Sequence, residues 1–163
     1  MEHFAKESLR IAILAEKRSF DFYRCAARLV DDKRTRKVFE LLASEEAEHM
    51  GAFLALYPGG EFGDLQSLTN RPPDFNNAAY RSLLAEIDAT TREQQALEIS
   101  LREEQACIEH YLILTSCLRE RKLFEIFERV LSQTRRHYEL INEEYMRVMG
   151  MVDGLDGDSY APE

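Results

Sequence analysis

Proline and glycine are scarce in this chain of 163 residues, at 4 and 7, and most of them fall near residues 58–73 or after Gly150. So little punctuation leaves long uninterrupted segments and argues for helices. Alternating β-branched runs are missing too, which excludes a sheet architecture. Cysteine is limited to Cys25, Cys107 and Cys117. An odd count without a Cys-x-x-Cys pair argues against a disulfide framework, a zinc ribbon or a rubredoxin-like iron site, and a reducing cytoplasm is the expected location. No apolar run approaches the roughly 20 residues of a membrane span. The opening "MEHFAKESLR" is amphipathic and charged, unlike a signal peptide. Net positive charge is absent: 30 acidic residues outnumber 21 basic ones for a formal net charge of −9, a field that repels phosphate backbones and speaks against nucleic-acid binding.

What remains is an ordinary globular balance, 45% hydrophobic and 31% charged, in a length that suits one domain. Apolar residues recur at helical spacing in four long segments. The first, about Glu2–Leu29, carries Leu9, Ile13, Phe20, Tyr23 and, just beyond it, Val30. The second, about Lys33–Leu56, carries Val38, Leu42, His49, Phe53 and Leu56. The third, about Thr91–Leu118, carries Leu97, Leu101, Ile108, Tyr111 and Thr115. The fourth, about Leu123–Met149, carries Phe127, Val130, His137, Ile141 and Val148.

"VDDKR" and "LRERK" read as tight turns within two helix hairpins, with Asp32 placed to cap the second helix. The stretch from Tyr57 to about residue 76 is too long for such a turn and reads as a crossover, followed by a short helix around Asn77–Asp88. The expected architecture is an all-α four-helix bundle over residues 1–150, two hairpins joined by one long crossover. Residues 151–163 lack an apolar period and read as a flexible tail.

Each stripe has a polar residue near its middle: Glu16, Glu46, Glu104 and Thr134. Three buried carboxylates at one level repel one another unless protons or cations neutralise them, and a metal ion is the economical account. Internal repetition sharpens this. An offset of 88 positions relates Glu16 to Glu104, His49 to His137, Tyr23 to Tyr111, Phe39-Glu40 to Phe127-Glu128, Ser44 to Ser132 and Tyr57 to Tyr145. The chain reads as two diverged copies of one hairpin, each with an acid on its first helix and a histidine on its second. Glu45 and Glu48 fall on other faces of the helix and read as solvated charges. His3 and His110 have no repeat partner and read as surface residues.

The residues "ILAEKRSFDFY", "EEAEH" and "REEQACIEHY" resemble the ferritin-like di-iron carboxylate proteins, the rubrerythrin type most closely. Those proteins use a Glu on each of two helices and a Glu-x-x-His on each of the other two. The resemblance implies metal ligation by Glu16, Glu46, His49, Glu104 and His137. It implies two irons, with Mn or Zn also compatible with the ligand types. It implies tyrosines Tyr23 and Tyr111 near the ligand carboxylates. It further implies a peroxidase- or ferroxidase-type oxidoreductase meeting peroxide or dioxygen, an external electron donor and a homodimer.

The pattern breaks at "SQTRRHYEL", where Thr134 takes the place of the second Glu-x-x-His acid, so Thr134 would line an open side of the site. Some rubrerythrin-type proteins carry a Glu where Cys107 stands, and a cysteine there reads more readily as a small hydrophobe than as a ligand. Three outcomes stay open: two metals with solvent replacing the missing bridge, one metal held chiefly by Glu16, Glu46 and His49, or an acid cluster without metal. The last two suit a non-enzymatic module serving as metal carrier or interaction scaffold.

Overall fold

The computed structural model describes residues 2–86 and 92–150. It contains helices α1 (Glu2–Leu29), α2 (Lys33–Leu54), α3 (Leu65–Asn70), α4 (Ala78–Glu86), α5 (Arg92–Cys117) and α6 (Arg121–Val148), with no strand among the described residues. α1 packs along α2 and α5 along α6, and the two hairpins meet through α2 against α6 and α1 against α5. The expected tail beyond Gly150 lies outside the described residues.

The helix boundaries follow local chemistry. Asp32 caps α2 by accepting from the Thr35 backbone N–H at 2.8 Å, satisfying one of the free amides of the first turn. α2 ends two residues earlier than its apolar stripe suggests. Leu56 and Tyr57 have tightened to i−3 hydrogen bonds on Phe53 and Leu54, just before Pro58. Gly150 follows α6 at φ 67°, a left-handed residue that ends the helix cheaply.

The crossover is better built than its composition suggests, because it contains α3, which the apolar pattern does not announce. Asp64 caps α3 through the Ser67 N–H at 2.7 Å. Phe62 and Leu68 are buried, and Phe62 packs on Tyr57 with ring centroids 5.2 Å apart. Lys17, buried on α1, donates to the Arg71 carbonyl at 3.0 Å and pairs with Asp21 at 2.5 Å. The connection is thereby tied across the outside of α1.

The core repeats the symmetry of the sequence. Tyr23 stacks on Phe39 at 5.9 Å, and its counterpart Tyr111 meets Phe127 edge-on at 5.8 Å. All four are fully buried, and aromatic pairs in such geometry add about 0.5–1.5 kcal/mol beyond their area. These layers flank the level at which the charged residues face inward.

Candidate metal centre

Glu16 on α1, Glu46 and His49 on α2, Glu104 on α5 and His137 on α6 converge on the bundle axis, each no more than 3% exposed. They form two triads, Glu16–Glu46–His49 and Glu46–Glu104–His137, whose potential ligand atoms lie within 4.8 Å of one another in each. Glu46 belongs to both. The i, i+3 spacing of Glu46 and His49 puts both on one helix face, with His49 Nδ1 3.7 Å from Glu46 Oε2. Across the seam, His137 Nδ1 lies 2.9 Å from Glu46 Oε1 and 3.7 Å from Glu104 Oε1. The two imidazoles lie nearly parallel, 5.4 Å apart and inclined by 18°.

The tyrosines are placed reciprocally. Tyr23 on α1 donates to Glu104 on α5, and Tyr111 on α5 donates to Glu16 on α1. Each hairpin thus holds the carboxylate contributed by the other. Thr134 is buried, but its hydroxyl donates to the Val130 carbonyl of its own helix at 2.9 Å. Cys107 is half-buried one turn beyond Glu104. Burial first, then Glu16, Glu104 and Glu46, push its thiol well above the usual range, so it stays protonated.

Two residues that the helical stripes did not single out complete the arrangement. Glu45, expected to be a solvated charge, is half-buried and accepts from His137 Nε2 at 2.5 Å. Gln133 Oε1 lies 2.9 Å from His49 Nε2. A residue adjacent to a buried one turns about 100° around its helix, which led to the solvated reading. At the α2–α6 seam, that direction reaches the far edge of the opposite imidazole. The signal that could have found them is the repeat, since Glu45 and Gln133 are themselves 88 positions apart. Glu48 and His3 are exposed, whereas His110 is half-buried.

Electrostatics show what burying these groups costs. Burial, with Glu46 alongside, raises the Glu16 carboxyl to about 8. Burial also acts against ionised Glu46, but the neighbouring Glu16, His137 and His49 prevail and lower its pKa. Burial alone would lower both imidazoles, yet Glu16 and Glu46 hold His49 up to about 10, and Glu104 and Glu46 hold His137 up to about 11. Protons therefore do the neutralising that a cation would do.

The donor set fits a divalent metal. Carboxylate oxygens with imidazole nitrogens suit Fe, Mn or Zn. His137 Nδ1 is buried 2.9 Å from Glu46 Oε1 without forming an aligned hydrogen bond, and a metal ion held by both groups would relieve that contact.

Two hairpins forming a bundle with carboxylates and histidines on its axis define a ferritin-like protein of the carboxylate type. The rubrerythrin family model matches residues 7–145, and the chain belongs to that family. Its fold is similar to the solved structure of a hypothetical protein from Pyrococcus furiosus. The two share 21% identity over 90% of this chain and 91% of the other, with a TM-score of 0.70, a likeness of fold alone. No curated protein matches the sequence.

Proposed function

We propose that this protein binds iron in the bundle interior and reacts with peroxide or dioxygen, in oxidative-stress defence or iron handling. The observation that carries this reading is the pair of buried triads sharing Glu46. Glu16, Glu46 and His49 would hold one ion, and Glu104, Glu46 and His137 the other. Iron bound there supplies one-electron chemistry toward peroxide or dioxygen. Tyr23 and Tyr111 fix the orientation of Glu104 and Glu16 through their hydrogen bonds. Glu45 and Gln133 hold the outer nitrogens of the two imidazoles, so that both Nδ1 atoms face the axis. The aromatic layers of Phe39, Phe53 and Phe127 keep bulk water away. Electrons would come from another protein or a small reductant.

A second reading has its own support. Thr134 contributes no charge and commits its hydroxyl to Val130, so three carboxylates would face two dications. A bundle that binds a single ion or none, as carrier or scaffold, is consistent with that deficit. Anaerobic loading with Fe(II) separates the readings: the first requires about two irons per chain and their oxidation by stoichiometric peroxide. Binding near zero, with Glu16→Ala leaving the fold and its stability unharmed, would refute metal binding altogether.

A further inference from the structure

The two triads have the same composition, one private carboxylate, the shared Glu46 and one imidazole. They differ in what stands behind the imidazole. His137 Nε2 meets the Glu45 carboxylate at 2.5 Å, whereas His49 Nε2 meets the neutral Gln133 amide at 2.9 Å. An imidazole whose outer N–H donates to a carboxylate is a more basic ligand, and such partners are typically worth about 10–100-fold in metal affinity.

We infer that the centre is graded: the Glu104–Glu46–His137 half, backed by Glu45, takes a divalent cation first, and the Glu16–Glu46–His49 half takes the second more weakly. This rests on the proposed metal-binding role. It reverses the expectation that a single ion would sit chiefly with Glu16, Glu46 and His49. Glu45 supplies a carboxylate near the α6 side of the centre, where Thr134 supplies none. It does so from behind a ligand, acting on His137 and not on the ion.

The test is an anaerobic titration of metal-free protein with Co(II), read by its visible absorption bands. Wild type should fill in two steps separated by about 10-fold or more. Glu104→Gln should remove the tighter step and Glu16→Gln the weaker one. Glu45→Gln keeps an oxygen acceptor for His137 but loses the charge, and should weaken the tighter step by about 10–100-fold, merging the two. The double variant E45Q/Q133E moves the charge behind His49, so Glu16→Gln should now remove the tighter step. Circular dichroism and melting of each metal-free variant establish that it folds. If Glu45→Gln leaves both steps in place, or Glu16→Gln removes the tighter step from wild type, the grading is wrong while the metal site stands. If folded wild type takes up no Co(II), the metal-binding role fails and the grading with it.

Discussion

Tyr111 on α5 donates its phenolic hydrogen to the buried Glu16 carboxylate on α1, and Tyr23 on α1 returns the relationship with Glu104 on α5. These paired straps couple the integrity of the bundle to the geometry of its centre. Replacing either tyrosine by phenylalanine preserves the ring packing and leaves a buried carboxylate short of a donor, a loss of about 1–3 kcal/mol. Urea unfolding of metal-free Tyr23→Phe and Tyr111→Phe should show that loss in each. A midpoint equal to wild type would mean the phenols contribute only as core aromatics.

Thr134→Glu places a fourth carboxylate on the axis. The metal-free variant should be less stable than wild type by about 1–3 kcal/mol, because another buried acid must be protonated or left unpaired. Loaded with Fe(II), it should bind more iron and turn over oxidant faster. Unchanged stoichiometry and turnover would show that this position is not the missing ligand.

The pH dependence of the metal-free protein has a definite sign. His49 and His137 rise from an ordinary 6.5 to about 10 and about 11, so their contribution is complete below pH 6.5 and lost as pH climbs through those values. Glu16 keeps its proton in the folded chain up to about 8 and loses it near 4.5 when unfolded, so folding is progressively disfavoured over that interval. All three act alike, and stability should fall as pH rises from 6 to 10. Melting temperatures of chelator-treated protein across that range check this, and a rising curve would contradict it. Metal uptake must displace these protons, so it should release acid in weakly buffered solution and tighten with pH.

A charge cluster two turns along α6 from His137 ties that helix to the start of α2. Buried Glu144 on α6 accepts from Thr35 at 2.7 Å and from Arg147 at 2.5 Å, while Arg147 reaches Asp32 at 2.7 Å. Arg147→Ala removes the main partner of a buried carboxylate and loosens the α2 cap. It should cost about 2–3 kcal/mol, discounted for the partial exposure of Arg147 and the remaining partners Thr35 and Arg34. Iron stoichiometry should not change, and a variant that loses iron while melting normally would tie this cluster to the centre.

The periodic apolar stripes were sufficient to locate four helices and their two-by-two order, because a helix buries whatever recurs every 3.6 residues. The gaps in those stripes also named Glu16, Glu46 and Glu104, and the 88-position repeat singled out His49 and His137 within the stripes, since a charged residue on a buried face stands out against its neighbours. The reach of Glu45 to His137 and of Gln133 to His49 was decided only in three dimensions. Periodicity along one helix assigns a residue to the core or to solvent, but it cannot see the edge of a seam where a neighbouring helix brings a partner within hydrogen-bond distance. The same holds for the crossed tyrosine straps and for α3, whose buried Leu68 belongs to no long stripe. The sequence alone determined that acids and imidazoles would meet inside a bundle, through the free-energy cost of burying them unpaired. The packing of α2 against α6 decided that the two imidazoles would be backed differently, one by a charge and one by an amide.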